Sequence, residues 1–454
     1  MSSSSFFNDL LGSIAEQGRH LLDRRRERVS SGRALGDLCE ALLSGRGEAS
    51  GVALARDLLT SYATLSRDER LAFFRELHAR FGADRERVAK AAQAVLEAPD
   101  DETLLQGLHA ATEPRRQELV RRLNLAPGGT SALVSMRKDL IACLRDDPDL
   151  REVDRDFQHL FSSWFNRGFL VMRRIDWSTP AVILERIIRY EAVHEISDWD
   201  DLRRRIDLPD RRLYAFFHPA LVDDPLIFVE VALTRDIPEA IPPILAEGRQ
   251  ELAAGEATTA VFYSISNCQK GLRGISFGNF LIKQVVEELR RDLPNLKTFV
   301  TLSPVPGLRA YVEAAAGEAD SPVAGVLSAD KADLLERVGE EEPPEELKEP
   351  LRAICAHYLM REKSKGTRPL DPVARFHLGN GARLERINWN ANPSPSGRRQ
   401  SYGVMVNYLY SLGDIEKNHE AFAATGAVAA ASSVSRLLKS VPDTKKKQIP
   451  DPVA

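Results

Sequence analysis

Cysteine is scarce and scattered in this chain: Cys39, Cys143, Cys268 and Cys355 are the only four, and no two form a CxxC pair. That spacing excludes a disulfide framework and a thiolate zinc site, and it suits a reducing compartment. Excess charge is also missing. Lys and Arg total 62 against 66 Asp and Glu, a net charge of −4, so neither nucleic acid nor an anionic membrane is expected as the main partner. No apolar run approaches the roughly 18 residues that a membrane helix needs. HExxH and HxxxH pairs are absent, which excludes the common histidine metal sites. GK[ST] and a clean GxGxxG are absent too, which removes the P-loop and the dinucleotide fingerprint.

What is there is ordinary core material. Hydrophobic residues make up 43% and charged residues 28% of the 454, enough for two unequal domains. The N-terminal stretch is rich in serine and then arginine, as transit peptides are, but Asp9 and Glu16 interrupt it and no apolar signal core is present. The chain ends Asp451-Pro452-Val453-Ala454, which is no peroxisomal address, so the cytoplasm is expected.

Isoleucine divides the chain. Residues 1–165 hold only Ile14 and Ile141, whereas 166–310 hold thirteen isoleucines. β-branched side chains lose rotamer freedom in helices and pack well on pleated sheets, so the first region is expected to be helical and the second to contain sheet. Ser66-Arg67-Asp68-Glu69 has the capping-box pattern, and Leu71, Phe74, Leu77 and Phe81 follow on one face before Gly82. Thr112-Glu113-Pro114 is expected to open another helix, and Pro127-Gly128-Gly129 to close off the segment. These features predict an α+β protein: a helical domain over 1–165, a mixed-sheet domain over 166–440 and a tail over 441–454. Strands are expected at 213–217, 226–233, 258–266, 298–302, 382–389 and 403–410. The acidic stretch 317–350 reads as a solvated surface excursion.

Chemistry concentrates between Thr258 and Gly307. A strand runs into Gly271-Leu272-Arg273-Gly274-Ile275-Ser276-Phe277-Gly278, then a helix with Leu281, Val285 and Leu289 at four-residue spacing, then a second strand. Strand, glycine loop, helix, strand aims free backbone N–H groups and a positive helix end at a phosphate, although glycine turns also serve as plain connectors. Ser303, in Leu302-Ser303-Pro304-Val305-Pro306-Gly307, stands at the end of that second strand, where it either faces a ligand or starts an ST-turn. His377, in Arg375-Phe376-His377-Leu378-Gly379-Asn380-Gly381, sits between apolar neighbours and reads equally as a core histidine satisfied by backbone.

Together with Phe262–Ser266, Phe280–Lys283, Arg386–Trp389 and Asn407–Tyr410, these motifs resemble the malonyl-CoA decarboxylase family, in its order and similar spacing from about Ile175 to Tyr410. The resemblance implies a helical domain used for homo-oligomerisation and a catalytic domain of GNAT-like fold. It implies catalytic roles for Ser303 and His377, ligand contacts over Arg273, Gly274, Ile275, Ser276, Phe277, Gly278 and Asn279, and further site positions at Ser264 and Tyr410. Animal members carry a glutamate inside the loop where this chain has Ser276, which leaves the loop without that carboxylate.

The implied chemistry suits these residue types. Loss of carbon dioxide from a malonyl thioester leaves an enolate, which needs a donor on the thioester oxygen and a proton for carbon. Ser303 is expected to bond or relay to the malonyl group and His377 to act as general acid. The thioester is its own electron sink, so no cofactor and no metal is expected. An acyl-CoA N-acyltransferase on the same fold would share the loop but leave Ser303 with His377 unexplained. A malonyl-CoA sensor would need neither.

Overall fold

In the computed structural model the described residues are 32–44, 47–275, 281–316, 318, 321–327, 334–335, 342–364 and 366–442. Ser276, Phe277, Gly278 and Asn279 of the glycine loop, parts of the acidic stretch 317–350 and the tail beyond Pro442 lie outside them. The chain folds into two compact units.

The first unit contains residues up to Val171, together with 217–226 and 268–277. Its described helices are Gly32–Leu43, Glu48–Ala63, Arg67–Arg80, Arg85–Glu97, Glu102–Thr112, Arg115–Asn124, Gly129–Cys143 and Arg151–Trp164. Their starts are written in the sequence. Ser66 accepts from Glu69 N while Glu69 returns the bond to Ser66 N, and Asp84 and Asp101 cap the next two helices. Phe73, Phe74, Phe81, Phe157 and Phe161 fill the core with aromatic area. Two expectations change here. Thr112 ends a helix instead of opening one, and Pro114 is the N-cap of the next. Gly128, at φ +72°, leads into the Gly129–Cys143 helix, because only glycine enters that left-handed turn without strain.

The second unit holds nearly all of the sheet. Its strands are β1 (Val171–Ile175), β2 (Arg211–Phe217), β3 (Pro225–Thr234), β4 (Thr259–Asn267), β5 (Thr298–Thr301), β6 (Ser303–Pro304), β7 (Arg383–Asn388) and β8 (Met405–Leu409). They lie in the order β1-β2-β3-β4-β5-β8-β6, with β7 on the other edge of β8. The α+β class and six expected strands are present. β1 and β6 are additions, one an exposed edge and one only two residues long, each too weakly patterned to read. The acidic excursion ends in a buried helix, Lys348–Met360, so Pro350 lies inside that helix rather than on a solvated surface.

Two irregularities shape the sheet. The antiparallel register of β3 with β4 shifts between Glu230 and Val231, which pair with Ser264 and Phe262, so Tyr263 is an extra residue, a β-bulge. The parallel register of β4 with β5 runs only from Thr259 and Thr298 to Phe262 and Thr301, with Leu302 N donating to Phe262 O at 3.0 Å. Beyond that bond β4 continues beside β3, while the chain after Thr301 pairs with β8 through Ser303–Val406 and Pro304–Met405. The two strands part at the bulge.

After the helix Pro372–Gly379 the backbone turns at Gly381, which has φ +80° and would place a Cβ 2.2 Å from the Ile415 carbonyl oxygen. Gly381→Ala should therefore cost about 2 kcal/mol or more, from left-handed strain and the collision together. The urea-unfolding midpoint measures this, and an unchanged midpoint would mean that the turn relaxes freely.

Candidate active site

The gap left by the parting strands is a cavity of about 260 Å³, and its walls are mostly apolar, with Val229, Phe262, Ile265, Leu281 and Phe376 among them. Its polar lining residues are Tyr263, Asn267, Ser303 and His377. Ser303 and His377 are each placed by their own element. Ser303 pairs with Val406 in β6, which fixes its backbone. His377 lies on the Pro372–Gly379 helix, whose first turn is held by Asp371: Oδ1 accepts from Val373 N at 2.9 Å and Ala374 N at 2.8 Å. Proline at the first helical position sacrifices no hydrogen bond, and a cap of this kind is worth about 1 kcal/mol.

The two side chains meet. Ser303 Oγ and His377 Nε2 are 3.1 Å apart, and His377 Nδ1 lies 2.8 Å from Tyr410 Oη. Ser303 Oγ donates to Thr301 Oγ1 at 2.8 Å, and Thr301 Oγ1 also accepts from Tyr408 N at 3.2 Å. Since the single serine hydrogen goes to Thr301, His377 Nε2–H donates to Ser303, and its Nδ1 accepts from the Tyr410 hydroxyl. The series therefore has a direction, Tyr410 to His377 to Ser303 to Thr301. The Tyr408 ring stacks on the imidazole at 4.6 Å between centroids and 23° between planes.

All of this is dry. Ser303 is 5% and His377 3% exposed. Burial lowers the His377 pKa to about 3, so the imidazole is neutral at neutral pH. Burial also pushes the Tyr410 phenol well above its ordinary value. Each group is held in its uncharged, proton-bearing form.

Other expected site residues are placed differently. Ser264 is not in the cavity. Val229 and Ile265 are register partners that face it, so Ser264, paired with Glu230, points to the opposite side of the sheet. There it donates to both carboxylate oxygens of Glu191 at 2.8 Å. In the glycine loop, Arg273 and Gly274 are exposed and Ile275 is buried, with Gly274 at φ +83°. Three residues went unread: Thr301, Tyr408 and Asp371. Thr301 and Tyr408 each lie two residues from a named site residue, so strand alternation places them on the same face. Asp371-Pro372 is a helix-start signature. Among the described residues no three His, Cys, Asp or Glu gather as a metal site, and the four cysteines are free and buried.

The chain is similar to known proteins over most of its length. The family model for the malonyl-CoA decarboxylase C-terminal domain matches residues 168–448, and that for the N-terminal domain matches 81–165. Malonyl-CoA decarboxylase, mitochondrial, of Anser anser anser is 37% identical over 399 residues, 78% of this chain and 77% of that protein. The crystal structure of malonyl-CoA decarboxylase from Rhodopseudomonas palustris superposes with a TM-score of 0.84 at 56% identity, covering 89% of this chain and 99% of that one. The one from Cupriavidus metallidurans does so at 0.70 and 34% identity, covering 90% and 99%.

Keeping His377 neutral has a consequence for stability. Its folded pKa of about 3, and that of His194, held at about 4 by burial and then by Arg205, lie below the ordinary value of about 6.5. Unfolding below pH 6.5 therefore takes up protons. The stability these groups provide is complete above pH 6.5 and is lost as pH falls toward 4 and then 3. Glu230, raised by burial to about 7, acts in the opposite sense, losing its contribution as pH rises from about 4.5 to 7. The clean measurement is a difference: between pH 7.5 and pH 5, wild type should lose more stability than His377→Gln. Equal losses would show that His377 is not held neutral by the fold.

Proposed function

The chain belongs to the malonyl-CoA decarboxylase family, and we propose on that footing that it converts malonyl-CoA to acetyl-CoA and carbon dioxide with its own side chains and no cofactor. The observation that carries the reading is the buried series Tyr410–His377–Ser303, opening into an apolar cavity where β4 and β5 part.

The C–C bond between the malonyl methylene and its carboxylate breaks heterolytically. Carbon dioxide leaves, the electron pair remains on the methylene carbon, and the thioester oxygen shares it as an enolate. An apolar cavity strips water from the carboxylate and favours its departure as a neutral molecule. Ser303 turns its hydroxyl from Thr301 to the thioester oxygen while still accepting from His377 Nε2–H. A hydroxyl that is itself a hydrogen-bond acceptor is the better donor, and a donor on the developing oxyanion lowers the barrier.

The proton for carbon comes along the same series: Ser303 gives it up, takes one from His377 Nε2, and Nδ1 takes the Tyr410 proton, with solvent closing the cycle. His377 thus acts as a neutral relay instead of a stored imidazolium acid, because burial disfavours the cation. The exposed Arg273 and Gly274 of the glycine loop suit the coenzyme's phosphates.

The helical region serves assembly in this reading. Helix Arg85–Glu97 buries none of its residues, and Leu96 is 76% exposed, which leaves apolar surface for a second copy. The dispersed, free, buried cysteines suit the cytoplasm.

Purified protein with malonyl-CoA and no added amine or cofactor should release acetyl-CoA and carbon dioxide, and should do so equally after dialysis against a strong chelator. An N-acyltransferase or a sensor would produce none. Ser303→Ala and His377→Ala should each lower kcat by about 10² to 10⁴, with coenzyme binding nearly intact, and the double variant should be little worse than the poorer single one. A folded His377→Ala protein with near-normal kcat would remove the relay.

A further inference from the structure

The helical unit does more than scaffold: it contains the seat of the glycine loop. Residues 268–277 belong to this unit and not to the sheet unit that follows them in the chain. Arg137, on the Gly129–Cys143 helix and 1% exposed, donates from Nη1 to the Gly271 carbonyl at 2.7 Å and from Nε to Asp154 Oδ1 at 2.8 Å. Asp154 Oδ2 accepts from Gln158 Nε2 at 2.5 Å. Gly271 is pressed so closely on the same helix that a Cβ would lie 1.9 Å from the Val134 carbonyl oxygen. Cys268 N donates to Leu226 O at 2.9 Å and Gln269 Nε2 to Pro225 O at 3.1 Å, which ties the loop's start to the unit's other inserted segment.

Burying an arginine is costly, and apolar residues of similar volume often hold a core as well. Here the charge is paired with Asp154, and the same planar fork donates from Nη1 to one loop carbonyl, which ties the loop to the helix. The loop divides accordingly. Gly271, Leu272 and Ile275 are buried, while Arg273 and Gly274 face outward.

We propose that Arg137, held by Asp154 and Gln158, is a positioning residue for coenzyme binding, fixing the buried half of the glycine loop so that its outward half meets the coenzyme's phosphates. This rests on the reading that the loop takes coenzyme A.

The test uses the full chain, with steady-state kinetics on malonyl-CoA and calorimetric titration of coenzyme A. The paired variant Arg137→Gln with Asp154→Asn removes both charges together, so neither is stranded. Gly271→Ala pushes the loop from its seat, and Arg137→Lys keeps a cationic donor. The paired variant and Gly271→Ala should raise KM and weaken coenzyme A binding by about tenfold or more, with kcat within about threefold, and Arg137→Lys should recover part of the loss. Arg116→Gln with Asp156→Asn, which removes another buried ion pair of this unit, should lower stability without changing KM. Unchanged KM and coenzyme A affinity in folded Gly271→Ala or in the paired variant would overturn the proposal. So would an equal rise in KM in the Arg116–Asp156 control. If the paired variant does not fold, Gly271→Ala and Arg137→Lys decide by the same readout. A wild-type protein that makes no acetyl-CoA would defeat the proposed function, and the calorimetric arm would still decide the clamp.

Discussion

The site depends on where one pair of strands stops bonding. β4 and β5 share four parallel positions and then separate at Phe262 and Thr301. Had they stayed paired, Ser303 would be bonded into the middle of the sheet and no cavity would exist beside it. The extra residue Tyr263 makes the separation possible, because a bulge bends its strand and re-aims the side chains that follow. Val229, Phe262 and Ile265 then line the opening, while Ser264 turns to Glu191 on the other face. The freed chain stays beside β8, already paired with β5 at Val300–Leu409, and β8 with the residue after it carries Tyr408 and Tyr410, the two rings that hold His377.

The second constraint is dryness. A serine, a histidine and a tyrosine in water would form weak and exchangeable contacts. In the cavity they are bonded in series and fully covered, so each bond is stronger and each charged form is disfavoured. The same burial that keeps these groups uncharged makes the fold sensitive to acid, since a histidine kept neutral must accept a proton when the chain opens at low pH.

Between the two units the division of labour is less simple than the composition suggests. A region nearly free of isoleucine and without catalytic spacing reads as scaffold. It nonetheless holds a buried arginine that pairs with Asp154 and also donates to a loop carbonyl 134 residues away in sequence. No local pattern marks Arg137, because it looks like any polar residue on a helix. Its desolvation and its partner exist only after folding.

Periodicity and punctuation alone determined the helical first region, the capping box at Ser66, six of the strands and the strand–glycine loop–helix layout, because these depend on propensities that act within a few residues. Motif order added Ser303, His377 and Tyr410 as a set, without their arrangement. Alternation would also have reached Thr301 and Tyr408 from their named neighbours. What only the tertiary structure decided is the bulge at Tyr263, the parting of β4 from β5, the outward turn of Ser264 and the direction of the hydrogen bonds through His377. Each rests on groups far apart in the chain, 74 residues from Ser303 to His377 and 33 from His377 to Tyr410. The neutrality of that histidine follows from burial, which belongs to the packed interior and to no residue by itself.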